Sequence, residues 1–333
     1  MNLSRLFAAA LLVGVAGASL HAADPKILNA SYDVTREFYD AYNPLFAKYW
    51  KEKTGQNLTI DQSNGGSSKQ ARAVIDGLQA DVVTFNQDTD IQILADNGLV
   101  PKDWAGLFPD NSAPYTSTIV FLVRKGNPKG IKDWNDLVKA GTSVIIPNPK
   151  TSGNGRYSYL GAWAYALKQP GGNADTAKAF VGQLFKNVPV LETGGRAATN
   201  TFVQKGIGDV LLTFESEVLQ ISRVFSPDQY DVIYPSLSIL VEPPVAVVSA
   251  VVDKNGNREV ATEYLKYLWS EPGQELVVKN FYRPRNAGLL AKNSALFPSI
   301  ELFSVDQVFG GWKAAQKEHF ADGGFFDQIY TVK

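Results

Sequence analysis

Three short loops, residues 62–70 (QSNGGSSKQ), 149–156 (PKTSGNGR) and 193–198 (TGGRAA), place glycine with serine or threonine at what read as the starts of helices. A helix N-terminus presents unpaired backbone N–H groups and about half a positive charge from its aligned peptide dipoles, and glycine lets that backbone come close to a ligand. Ser67, Ser152 and Gly195 stand in these loops. Three such ends converging on one point would hold a small multivalent anion without making or breaking a bond. Locally, the same residues also read as ordinary helix caps, with Ser67 or Ser68 satisfying an N–H group.

Other chemistries fit the residues less well. Neither G-x-G-x-x-G nor G-x-x-x-x-G-K-[ST] occurs in the first loop, which sets dinucleotide and Walker-type sites aside. Lys150, Thr151 and Ser152 are like the Lys-Thr-Gly element of serine acyl-transfer enzymes, but Ser152 replaces its glycine. The companion S-x-x-K is missing, because Gly66 stands three before Lys69. A Ser-His-Asp arrangement has only His319 to draw on, in the charged stretch KAAQKEHF where solvent exposure is expected. Asp88-Thr89-Asp90 lacks calcium-loop spacing and reads as a solvated turn, so no metal site is expected. Arg196 suits bidentate contact with an oxyanion, or equally a structural ion pair. Phe214, closing a strand, is either the wall of a cleft or part of a core.

The elements that position these loops alternate strand and helix. Residues 26–31 (KILNAS) read as a strand, 35–53 as a helix with Phe38, Tyr42, Phe46 and Trp50 at four-residue spacing, 58–62 as a strand, and 80–85 (ADVVTF) as a third. The pattern resumes with a continuous apolar strand at 118–125, a helix start at 133–138, strands at 143–146 and 209–214, and helices near 157–168, 174–186 and 199–205. Short loops between such elements predict an α/β fold with parallel strands. Within the apolar stretch 238–252, Pro243 and Pro244 mark extended chain passing between lobes rather than a central strand. A helix spans 258–270, and an aromatic tail, including Phe303, Phe309, Trp312, Phe320, Phe325 and Phe326, is expected to pack across the lobes.

Residues 1–23 read as a secretory signal, with Arg5 as its basic region, a short Ala/Gly-rich apolar run, and small residues at Ala22 and Ala23 for cleavage. No cysteine follows to carry a lipid, so a freely soluble periplasmic product without stable membrane insertion is expected. Cysteine is absent altogether, which removes disulfides and thiol chemistry and leaves stability to the core. About 310 remaining residues, at 45% hydrophobic content, suffice for two lobes that each bury a core. Once Arg5 is lost, 31 basic residues face 33 acidic ones, a net of −2, which argues against nucleic acid or an anionic membrane as partner.

Taken in order, 31–33 (SYD), 62–67 (QSNGGS), 110–118 (DNSAPYTST), 124–128 (RKGNP), 147–153 (PNPKTSG), 282–285 (YRPR) and 309–312 (FGGW) resemble the periplasmic sulfate/thiosulfate-binding proteins of ABC uptake systems, across essentially the whole mature chain. The resemblance implies a two-lobed periplasmic-binding-protein fold, each lobe a mixed, mostly parallel sheet flanked by helices and joined to the other by crossover strands. It implies lobes at 24–115 plus 247–333 and at 116–246. A dehydrated dianion would lie between them, held by backbone N–H groups and hydroxyls. By position the contacts fall on Ser67, Ser152, Gly153, Asn154 and Gly195, with Arg196 and Phe214 as further candidates, and an ABC permease would be the partner of a monomeric receptor without cofactor. Where sulfate-preferring members carry a tryptophan whose indole N–H donates to the ligand, this chain has Phe214, within 213–217 (TFESE). That motif, with 84–87 (TFNQ) and 193–196 (TGGR), resembles the thiosulfate-binding branch, whereas the tail resembles the sulfate branch. Asn154 stands where the sulfate pattern has glycine. The loops offer donors and no carboxylate, which implies discrimination against phosphate, whose remaining proton needs an acceptor. Another tetrahedral oxyanion such as molybdate, and an exported hydrolase using Ser67 or Ser152 on sulfate or phosphate esters, are the alternatives.

Overall fold

The computed structural model describes residues 24–330; the segment read as a signal, 1–23, lies outside the described residues. Two sheets organise the chain. The first has the order Val245–Val247, Val82–Thr84, Lys26–Tyr32, Thr59–Gly65, parallel except for its Val245–Val247 edge. Its helix Arg36–Thr54 buries Phe38, Tyr42, Phe46 and Trp50 as their spacing requires, and ends on Gly55 in the left-handed conformation (φ 79°).

The second sheet has eight strands and is built on Tyr115–Arg124, whose near-continuous apolar run is buried on both faces, as a central strand must be. Four antiparallel partners pair with it: Val210–Phe214, Tyr230–Ile233, Leu237–Val241 and Arg283–Pro284. Val144–Pro147 adds parallel pairings to Val210–Phe214 and to Leu191–Glu192. The two-lobed α/β architecture is therefore as expected, with this sheet mixed in direction. Leu237–Val241 belongs to the second sheet and Val245–Val247 to the first, so Pro243 and Pro244 lie in the crossing between them, where neither owes a ladder N–H. The extended run stops after Val247; residues Ser249–Asn255 are helical.

The tail departs from the division expected above, which puts all of 247–333 with the first lobe. Strand Glu301–Phe303 pairs with Leu237–Val241, and Phe320 and Phe326 share one core with Tyr159, Trp163 and Phe185 of the second lobe. Its apolar residues find their partners on the helices Gly153–Leu167 and Ala174–Lys186.

His319 is likewise not exposed. It is 2% accessible in a cage of Tyr159, Trp163, Phe309 and Phe325, with Nδ1 3.1 Å from the Tyr159 hydroxyl. Burial pulls its pKa from 6.5 down to about 4. The unfolded chain thus binds the extra proton first, and stability is expected to fall as pH drops from about 6.5 towards 4. Urea unfolding at neutral and acid pH checks this: His319→Gln should flatten the pH slope, and an unchanged slope would assign the loss to carboxylates elsewhere.

Candidate functional site

Helices Ser67–Ile75, Gly153–Leu167 and Gly195–Val203 have Gly66, Ser152 and Gly194 at their N-cap positions, and no side chain caps any of the three. The first intrahelical acceptances are Gln70 N–H to Gly66 O, Arg156 N–H to Ser152 O and Ala198 N–H to Gly194 O, so the preceding first-turn donors have no partner within their helices. Asn173, Ser270, Asn286 and Ser304 accept first-turn N–H groups at four other helices, whereas the helices after Thr35, Gln87 and Asn257 also lack a side-chain cap, so what sets the three ends apart is where they point.

The uncapped ends meet. A narrow cavity is lined by Tyr32, Asp33, Val34, Gly66, Ser67, Asn86, Ser152, Asn154, Gly195 and Phe214. Its wall thus comes from both lobes, and the loops touch: a Cβ placed on Gly66 would lie 3.4 Å from Thr151 O, and one on Gly195 would lie 3.1 Å from Asn154 Nδ2.

Five of the seven residues selected from the sequence, Ser67, Ser152, Asn154, Gly195 and Phe214, line this cavity. The Ser67 hydroxyl accepts from the Asn86 N–H at 3.3 Å, which leaves its own proton free to be donated. Ser152, 3% exposed, has an extended backbone and its hydroxyl makes no cap bond. Asn154 uses its side chain structurally, donating to Thr213 Oγ1 at 2.7 Å, so what it can offer a ligand is its backbone N–H. Phe214 is held edge-on between Tyr32 and Tyr157, and its ring closes one wall with no donor.

Gly153 lies just behind the wall, pressed on Asn86. Arg196 is engaged elsewhere: its guanidinium makes a fork with Glu37 (3.1 and 2.8 Å) and lies 3.5 Å from Glu217. Because Glu37 belongs to the first-lobe helix Arg36–Thr54, this pair spans the cleft. Glu217 is buried, and burial pushes its carboxyl up while Arg196 and Thr199 pull it back. Glu215 is held by a buried fork from Arg283 (2.6 and 2.8 Å), so both carboxylates beside Phe214 have cationic partners.

The sequence reading did not place Tyr32, Asp33, Val34, Gly66 and Asn86 in the wall. Position supplies the missing signal for Asp33, which follows the carboxyl end of the first strand, where ligands of open α/β sheets bind. Burial raises its carboxyl above the ordinary range, with Arg36, Arg196 and Lys69 acting in the opposite sense. A carboxylate therefore borders the cavity, and the expectation of donors alone is corrected.

This arrangement of donors and hydroxyls between two lobes is found in a chain whose residues 33–283 match the family described as bacterial extracellular solute-binding protein. The chain belongs to that family. Among these solute-binding proteins it is 61% identical to the thiosulfate-binding protein of Pseudomonas aeruginosa over 332 residues, covering 99% of both chains. It is 54% identical to the sulfate-binding protein of Escherichia coli over 315 residues, covering 95% of this chain and 96% of that one. The solved sulfate-binding protein SubI from Mycobacterium tuberculosis superposes with a TM-score of 0.80 at 31% identity, covering 88% of this chain and 98% of that one.

Proposed function

We propose that this solute-binding protein is a periplasmic receptor that captures sulfate or thiosulfate between its lobes, without catalysis, and delivers it as a monomer to an ABC permease. The observation that carries the reading is the convergence of three uncapped helix N-termini on one small cavity. Aligned dipoles and N–H donors stabilise a dianion without a counter-ion to release, which suits a carrier that must let go. Donors from both lobes reach the ligand together only when the cleft is shut, so ligand favours closure, and the Arg196–Glu37 pair adds to the same state.

The candidate contacts are Ser67, Ser152, Asn154 and Gly195 as donors, and Phe214 as an apolar wall. Gly153 permits close approach of the lobes, and Arg196 acts as a cross-cleft tie rather than a ligand. With Asp33 at the wall, exclusion of phosphate rests on whether that carboxylate can accept a phosphate proton, which titration with phosphate decides. A hydrolase would need a base bonded to Ser67 or Ser152, whereas His319 is engaged with Tyr159, and Asp33, though it shares the cavity wall, makes no hydrogen bond to either serine among the described residues.

Phe214 sets the balance between the two anions. Sulfate's fourth oxygen gains nothing from a ring that cannot donate, whereas the larger, softer sulfur of thiosulfate tolerates apolar contact. Phe214→Trp is expected to shift the sulfate-to-thiosulfate affinity ratio about tenfold towards sulfate by adding one N–H donor to a charged acceptor. Competitive titration reads the ratio directly, and an unchanged ratio would remove Phe214 as the discriminator.

A further inference from the structure

The small cavity opens on a wide cleft with which it shares Asp33 and Gly66. Four cationic residues line that cleft: Lys69, Arg72, Lys150 and Arg156, against the carboxylates of Asp33 and Asp90. Two of the four are tied down. Lys150 donates to Phe320 O at 3.0 Å and pairs with Asp327 at 2.8 Å, and the buried Arg156 donates through Nε to Pro149 O at 2.9 Å. Lys69 and Arg72 are different: both are exposed, lie three residues apart on the helix Ser67–Ile75, and form no salt bridge among the described residues.

Their placement runs against local helix stability. Lys69 occupies the first turn, where a cation opposes the helix dipole and an acidic residue is preferred; this helix has none there. The dipole field of a helix end fades within about a turn, so the cradle holds an anion once it arrives but does not draw it in. Full charges act over roughly a Debye length, about 8–10 Å at physiological salt. With a mature net charge of −2, the protein as a whole repels a dianion.

We infer that Lys69 and Arg72 form an electrostatic ramp that guides the dianion through the cleft to the cradle, setting the association rate while the uncapped helix ends set retention. The inference rests on the oxyanion-receptor reading above. Steering by charges of sign opposite to the ligand in a cleft raises on-rates by about 10–10³ and falls steeply with ionic strength.

Rapid-mixing tryptophan fluorescence of the mature protein with sulfate and with thiosulfate tests it. At an ionic strength of about 0.01 M, the Lys69→Glu/Arg72→Glu double variant is expected to associate about tenfold more slowly than wild type with little change in dissociation rate, and the gap should narrow at about 0.15 M. Lys102→Glu/Lys254→Glu makes the same change in net charge at exposed positions outside the cleft, and should associate nearly as fast as wild type. Equal slowing in both double variants, or an effect confined to dissociation, would overturn the ramp while leaving the receptor intact. Wild-type protein that binds neither anion would overturn both readings.

Discussion

Gly153→Ala is expected to weaken anion binding ten- to hundredfold while leaving the ligand-free protein as stable as before. A Cβ at this position falls 2.1 Å from Asn86 Oδ1 and 2.8 Å from its Cγ. Gly153 starts a second-lobe helix, whereas Asn86 follows the first-lobe strand Val82–Thr84, so the collision is between lobes. Asn86 is 4% exposed, with its backbone N–H bonded to Ser67 Oγ, and can yield only by turning into the anion cavity or by letting the cleft open. Overpacking of this kind costs about 1–3 kcal/mol, charged here to the closed form alone. Calorimetric affinity and ligand-free melting together decide it, and Asn86→Ala in the same chain should restore much of the affinity. Gly155→Ala is the contrasting case. Its Cβ would lie 2.4 Å from the carbonyl oxygen of Pro147 in the same lobe, so its cost should appear as lower ligand-free stability. If Gly153→Ala behaves that way too, the closure argument fails.

Ser152→Ala carries the second large effect. A serine at an N-cap ordinarily contributes about 1 kcal/mol to folding through the bond its hydroxyl accepts. Ser152 makes no such bond, and the residue lines the cavity. The substitution is therefore expected to leave ligand-free melting unchanged and to remove one hydrogen bond to a charged acceptor, worth about 1.5–3 kcal/mol, or roughly ten- to hundredfold in affinity. It should weaken binding more than Phe214→Leu, which removes apolar contact only. A lower ligand-free melting temperature with unchanged affinity would make Ser152 an ordinary cap.

Much of this was legible in the sequence because the chemistry is local. Glycine and serine at a strand-to-helix junction specify an exposed N-terminus whatever surrounds them, and three such junctions stood out. The helix limits were less clear. Residues 153–156 read as loop because Gly153, Asn154 and Gly155 are poor helix formers, yet the helix begins at Gly153. There backbone proximity to Pro147 excludes a side chain at Gly155 and outweighs propensity. The third helix likewise begins at Gly195 rather than near 199.

What sequence could not supply is long-range. A guanidinium fits a carboxylate as well as an oxyanion, and only the fold brings Glu37 to Arg196 across 159 positions. The KAAQKEHF stretch looks solvated because its charges are local, whereas the aromatic cage around His319 comes from residues more than 150 positions away as well as from the tail. Asp33 belongs to the site through its place at a strand end, which no local motif announces. The tail's aromatic content signalled burial but not which lobe would receive it.

The most direct test is isothermal titration of the mature protein, stripped of ligand by unfolding and refolding, with sulfate, thiosulfate, phosphate and molybdate at one pH. Tight single-site binding of sulfate or thiosulfate, with phosphate and molybdate far weaker, is the expected result. Silence towards all four anions from demonstrably refolded protein, or phosphate bound as tightly as sulfate, would contradict it.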